Sequence, residues 1–296
     1  MSVTDLPRFD MVHPESLEAL CTLIHEEKER PGGVAMLAGG TDLMVEIAQT
    51  GSRSGPLPLV VDISRMAPLR GISFDAGRLR IGAATTYLEI ERSGLVQQHA
   101  PLLCRMGQDV GGPTIQARGT LGGNLATSSP AADGVAAIAA YDPVIVLRSV
   151  RGERHVPLAE LQTGYKQSSR AVDEVIVAVE CDPPPVGSPW IWRKVGTRLA
   201  QAISKVAMGG VAVVEEGRIS RFGLALASVA PVTCLMSATR AYVLENELSA
   251  VSTAGLDAAV ERDVAPIDDI RSTRDYRIHC SRAVVRAFLR QLGASV

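Results

Sequence analysis

Two stretches of this sequence set paired glycines beside hydroxyl and acidic side chains: Leu37-Ala38-Gly39-Gly40-Thr41-Asp42-Leu43 and, well downstream, RGTLGGNLATSSPAAD from Arg118 to Asp133. Glycine has no Cβ, so the backbone N–H groups at Gly39-Gly40 and Gly122-Gly123 can approach an anion closely, and a helix that follows adds positive potential at its N-terminus. Phosphate is the natural guest of such a turn. In the second stretch Thr120, Thr127, Ser128 and Ser129 supply hydroxyl donors, while Asn124 can both donate and accept. The Asp133 carboxylate suits a ribose or another donor, because a phosphate would repel it. Asp42 argues against phosphate at the first turn unless its side chain points away. Neither stretch fits GxGxxG or GxxxxGK[ST], so a Rossmann or P-loop reading is unsupported. The residues give a candidate dinucleotide site; the competing reading is two tight turns whose Ser and Thr cap helices.

The flanking elements must position these turns. Ser16 is placed to cap a helix over LEALCTLIHEEKER, where Leu17, Leu20, Cys21 and Ile24 recur at helical spacing. VAMLA (34–38) reads as a short strand leading into Gly39-Gly40, and Thr41-Asp42 can cap the next helix, LMVEIAQ. LPLVVDIS and GRLRIGAAT read as strands, YLEIERSGLVQQ and GVAAIAAY as helices, and VIVLRSV with RHVPL as a hairpin. DEVIVAVECD (173–182) is a strand, and the prolines 183–185 that follow cannot continue it. The main boundary belongs there. Beyond it, two strands around Glu216-Gly217 predict a small antiparallel sheet, with helices at SATRAYVLENEL and SRAVVRAFLRQL covering one face. The expectation is an α+β protein with two lobes.

Composition narrows the function classes. The 296 residues carry 30 basic and 32 acidic side chains, a net charge of −2, so no sequence-wide attraction for nucleic acid or anionic lipid is expected. An apolar run long enough for a membrane span, about 18 residues, is missing, and MSVTDLPRFDMVHPES lacks the pattern of a secretory leader. A cytoplasmic protein is expected. Cys21, Cys104, Cys181, Cys234 and Cys280 show no CxxC and no Cys/His ligand spacing, so they read as buried thiols and no metal site is expected. Trp190 and Trp192 read as packing anchors. Arg193, Lys194 and Arg198 fit a charged surface or a subunit contact, and Arg271, Arg274 and Arg277 with Asp268 and Asp269 a solvated, salt-bridged face.

LAGGTDLM (37–44), ARGTLGGNLATSSPAAD (117–133) and WRKVGTRLAQAISKVAMGGVA (192–212), in that order, resemble the FAD-binding medium subunit of molybdenum hydroxylases of the xanthine dehydrogenase and carbon monoxide dehydrogenase type. The resemblance covers essentially the whole chain. It implies a two-subdomain FAD-binding fold of the vanillyl-alcohol oxidase (PCMH) type over 1–182, with subdomains of about 1–56 and 57–182, followed by a flavoprotein C-terminal domain over 190–296. By the same resemblance the backbone from Leu37 through Ala38, Gly39, Gly40, Thr41 and Asp42 to Leu43 would cradle the pyrophosphate. Thr120, Gly122, Gly123 and Asn124 would make a second phosphate and ribityl contact, with Thr127, Ser129 and Asp133 continuing along the cofactor. Lys205, in AISKV, falls where family members place a lysine near the isoalloxazine; by residue type alone it fits a solvated position equally well.

No catalytic acid or base is implied. FAD would be bound non-covalently, and molybdopterin and [2Fe-2S] clusters would reside only on a large and a small partner subunit of a heterotrimeric assembly, with an external electron acceptor. The cysteine-rich insertion of the benzoyl-CoA reductase branch is absent from the sequence. The rival readings are a free-standing FAD-dependent reductase on the same fold, akin to the cell-wall enolpyruvyl reductase, and a non-catalytic nucleotide-binding scaffold subunit.

Overall fold

Hydrophobic periodicity in the first sixty residues builds a small parallel sheet. In a computed structural model that describes residues 7–51, 56–198 and 201–296, strands Met11–Val12, Leu59–Asp62 and Val34–Leu37 pair in that order, all parallel. Residues 1–6 of the expected leaderless N-terminus, and Leu199-Ala200 within the third family-like segment, lie outside the described residues. Leu59–Asp62 is the central strand, so the first α/β unit runs past residue 56. Helix Leu17–Glu26 crosses between strands. Ser16 caps it by accepting from the Ala19 amide at 3.1 Å, and Leu20, Cys21 and Ile24 turn into the core as their spacing requires.

The second layer is a five-stranded antiparallel sheet in which Val175–Cys181 is central and buried along its length, flanked by Arg78–Gly82 and Val144–Ser149, with Ile72–Asp75 and Gly152–Pro157 at the edges. Its two faces bury different neighbours. Val146, Val175 and Val177 pack on the first helix, while Leu79, Ile81, Ile145, Leu147 and Val179 join a larger core with the helical segment that follows. That segment departs from the expected single helix over 87–98. Ser93 ends one helix, Tyr87–Arg92, and caps the next, Gly94–His99, because its hydroxyl takes the Val96 amide.

The C-terminal lobe is a three-stranded antiparallel sheet, Trp190–Val195, Val206–Glu215 and Arg218–Ala227. It is buried on both faces. Val206, Met208 and Ala212 point to helices Ser237–Glu245, Thr253–Asp263 and Arg274–Gln291, and the alternate residues Ala207 and Val211 point to helix Asp133–Ala139. This second contact is backbone on backbone: a Cβ on Gly209 would lie 2.7 Å from the Ala136 carbonyl oxygen, and one on Gly223 only 1.7 Å from that of Ala140. One expectation fails here. Arg277 is not on a solvated face but 4% exposed, donating to the Ser228 carbonyl at 2.6 Å and to Asp269 at 2.8 Å. A helix spacing that turns Cys280, Val284 and Phe288 inward carries Arg277 inward with them.

Candidate functional site

Both glycine turns meet at one place. Strand Val34–Leu37 delivers Gly39 against the loop before the second turn, so closely that a Cβ on Gly39 would lie 2.1 Å from the Arg118 carbonyl oxygen; Arg118 Nε in turn donates to the Gly39 carbonyl at 3.3 Å. Gly40 takes φ +76°, a conformation that a side chain would strain. Among the described residues no acceptor takes the amides of Gly39, Gly40, Thr41, Asp42 or Leu43, and helix Leu43–Gly51 begins directly behind them. Five successive open N–H groups at a helix start are able to receive an anion. The Asp42 carboxylate accepts the Thr127 hydroxyl at 3.2 Å.

The second turn is built differently from the expectation of a second amide cradle. Thr120 caps helix Leu121–Thr127 by accepting from the Gly123 amide at 3.0 Å, Gly122 donates to the Ala83 carbonyl at 2.9 Å, and Asn124 to the Thr120 carbonyl at 3.1 Å. Those amides are consumed in holding the helix. What the turn presents instead are side chains and the bare edge of Gly123.

Two adjoining cavities, of about 730 and 750 Å³, run from the first turn along this helix and share Asp42, Glu46, Tyr87, Val110, Ile115, Asn124, Thr127 and Lys166 in their walls. Ala38, Gly39, Gly40, Thr41, Asp42, Leu43, Thr120, Gly123, Asn124 and Thr127 line the first; Asn124 and Thr127 continue into the second, where Ser129 and Asp133 join them. Leu37 and Gly122 line neither. Leu37 is the last residue of its strand, and Gly122 packs on Ala83, whose Cβ a side chain at 122 would meet at 2.5 Å. Three polar atoms in these walls, Tyr87 Oη, Asn124 Oδ1 and Asp133 Oδ1, are enclosed yet have no hydrogen-bond partner among the described residues. Enclosed, unpartnered polar atoms around an elongated cavity call for a polar ligand. Burial pushes the Tyr87 phenol well above its ordinary range, so it stays neutral and can donate.

Among the described residues two lysines, Lys166 and Lys194, line these cavities. Lys205 lies outside both cavity walls, its ammonium 4.9 Å from the centre of the Tyr276 ring. Lys194 lines the second cavity and donates to Asp133 Oδ2 at 2.6 Å and to the Asp109 carbonyl at 2.9 Å; the pair is 9% and 13% exposed. Burial nevertheless raises the Asp133 carboxyl above its ordinary value, against the pull of Lys194. The sequence held a signal for Lys194. In WIWRKV, alternation puts residues 190, 192 and 194 on one face, and Trp192 is buried there. Tyr87, Val110, Ile115, Lys166 and Arg170 also escaped sequence reading, because they reach the cavity from helices Tyr87–Arg92 and Pro113–Gln116, from the bend before the latter, and from the turns on either side of strand Gln167–Ser168.

Comparison with known proteins is consistent across sequence and structure. A family model described as the FAD binding domain in molybdopterin dehydrogenase matches residues 7–181, and one for the CO dehydrogenase flavoprotein C-terminal domain matches residues 192–292. The nicotinate dehydrogenase FAD-subunit of Eubacterium barkeri is 35% identical over 69% of this chain and 68% of its own length, and the xanthine dehydrogenase FAD-binding subunit of Escherichia coli O157:H7 is 30% identical over 88% and 89%. Among solved structures, the carbon monoxide dehydrogenase of Hydrogenophaga pseudoflava that lacks the Mo-pyranopterin moiety of its cofactor superposes with a TM-score of 0.88 at 25% identity, covering 95% of this chain and 96% of that one.

Proposed function

Since this chain belongs to the FAD-binding subunits of the molybdenum hydroxylase family, as an oxidoreductase subunit, we propose that it is the module through which electrons leave such an enzyme. When bound, FAD supplies the redox chemistry, joining the one-electron [2Fe-2S] clusters of a small partner subunit to an external acceptor, while substrate is oxidised at molybdopterin on a large partner subunit. This chain's own part is to hold and tune the flavin. The open amides of residues 39–43 carry the pyrophosphate, and Asn124, Thr127 and Ser129 offer hydrogen bonds along the chain of the cofactor. Val110, Ile115 and Ile203 give the second cavity apolar walls, and the Lys194–Asp133 pair sets the charge there. Tyr87, kept neutral, can donate without adding charge. Residues to 182 form the flavin domain in this proposal and residues from 190 the C-terminal domain. A cytoplasmic place belongs to the same proposal; among the described residues no helix is long and apolar enough to cross a membrane.

The observation that carries the proposal is the run of five unpartnered amides opening on a cavity that the second glycine turn closes. The test is the visible spectrum of the purified chain with and without added FAD, followed by identification of the nucleotide released on denaturation. The expected result is one FAD per chain, released without covalent linkage. A folded chain that stays colourless at saturating FAD fits the scaffold reading instead, and turnover without partner chains fits a free-standing reductase.

A further inference from the structure

Asp109 stands outside both cavity walls, yet its bonds converge on a residue that lines one. It follows helix Pro101–Gly107, and its carboxylate is fixed from two sides: Arg105 Nη1 donates to Oδ1 at 2.8 Å and Trp192 Nε1 to Oδ2 at 3.0 Å. Its amide donates to the Met106 carbonyl at 2.9 Å. Its own carbonyl, thus oriented, receives the Lys194 ammonium at 2.9 Å. One residue therefore grips strand Trp190–Val195 at two alternate positions, 192 and 194, on the face that carries Trp192 into the core.

The connection crosses the molecule's main division. Asp109 and Asp133 belong to the segment matched by the FAD-domain model, and Trp192 and Lys194 to the segment matched by the C-terminal model. Lys194 is long and has three donors on a flexible stem, so neither its place nor the field it exerts on the cavity is fixed by the backbone alone. Asp133 Oδ2 holds it from the cavity side. A second hold is needed to define a direction.

We propose that Asp109 is a positioning residue: by clamping Trp192 with its carboxylate and Lys194 with its carbonyl, it registers the C-terminal domain's lysine in the wall of the flavin cavity. This rests on the flavin reading above. Without the carboxylate's hold on Arg105 and Trp192 the Asp109 carbonyl is no longer fixed in place, so the ammonium, still bound to Asp133, no longer occupies one place relative to the cofactor. The carboxylate also adds negative charge near Asp133, which contributes to the raised Asp133 carboxyl.

The test compares Asp109→Ala, Asp109→Asn, Lys194→Met and the double variant Asp109→Ala/Lys194→Met in two readouts. In the flavin-loaded full chain, the midpoint potential and the FAD dissociation constant are measured. Relative to Asp109→Asn, which removes the same negative charge, Asp109→Ala should lower the potential in the same direction as Lys194→Met, since both withdraw a placed cation from the reduced flavin, and it should weaken FAD binding by about tenfold. Asp109→Asn, whose amide oxygen can still accept from Trp192, should keep FAD affinity within about threefold of the parent. In the double variant the effect of Asp109→Ala should vanish once Lys194 is gone. The second readout, the same cycle followed by urea unfolding of the flavin-free chain, should show the same non-additivity. Additive effects in both readouts, or an Asp109→Ala potential equal to that of Asp109→Asn, overturn the proposal. A parent chain that binds no FAD overturns the flavin reading instead, and leaves the unfolding cycle to decide whether Asp109 holds Lys194.

Discussion

Gly39→Ala tests the claim that the two glycine turns are one site. The new methyl would sit 2.1 Å from the Arg118 carbonyl oxygen and 2.6 Å from its carbon, against 3.4 Å for an ordinary contact, so the turns must part by about 1.3 Å. Both clashing atoms are backbone, and no rotamer relieves them. Overpacking of this kind costs about 1–3 kcal/mol and lowers Tm accordingly. The same parting carries the open amides of residues 39–43 away from the helix behind Thr120, so FAD affinity should fall by about tenfold or more. Gly40→Ala is the control. Its methyl meets the Leu37 and Met44 side chains, at 3.0 and 3.4 Å, which can move, and its φ of +76° costs about 1–2 kcal/mol without separating the turns. Fluorescence titration of FAD and thermal unfolding should therefore rank Gly39→Ala as the more damaging for binding. Equal FAD affinity in parent and Gly39→Ala would refute the close approach of the turns as the basis of the site.

Other perturbations follow from contacts described above. Lys194→Met leaves Asp133 enclosed without its partner and should cost up to about 3–5 kcal/mol in urea unfolding, whereas Lys194→Met with Asp133→Asn should recover much of that loss. Asp173 accepts from Arg151 Nη2 at 2.8 Å and from His25 Nδ1 at 2.9 Å, and the Arg151 bond holds its carboxyl well below the ordinary carboxylate range. A depressed carboxyl lends stability that is present above its unfolded pKa of about 4 and is lost as pH falls below that value; Tm should be level near neutrality and drop in acid, and Asp173→Asn should lower the plateau by about 1–2 kcal/mol while flattening the acid limb. Thr120→Ala removes the cap on helix Leu121–Thr127 and should cost about 1 kcal/mol in thermal unfolding. Gly223→Ala sets a methyl 1.7 Å from the Ala140 carbonyl oxygen and should abolish accumulation of soluble folded protein, read by expression and gel filtration.

Local signals in the sequence served well where the cause was local. Ser16, the strand before Gly39 and the hairpin at Glu216-Gly217 are each decided by a few neighbouring residues, and each lies where pattern puts it. Lys194 was legible in principle, since alternation ties it to the buried Trp192, but its partners Asp109 and Asp133 are 85 and 61 positions away and only the folded chain joins them. Arg277 shows the reverse case. Its charge suggested solvent, but the helix face it shares with Val284 and Phe288 proved stronger, because backbone carbonyls at Lys205 and Ser228 were available to satisfy it. The second glycine turn failed as an amide cradle for a similar reason: Ala83 and Thr120 supply acceptors that sequence inspection cannot place.

The seam between Gly209, Gly223 and helix Asp133–Ala139 bears on how such proteins can be recombined. That helix begins at Asp133, in the wall of the second cavity, and its other turns are carbonyls resting on strand glycines with no side chain between to act as a cushion. A C-terminal domain grafted from a relative would have to bring glycine at both positions, or the graft would tilt the helix and displace the Asp133 carboxylate. Modularity along the chain thus stops at this helix: the two halves can be drawn as separate domains, but they share one mechanical part.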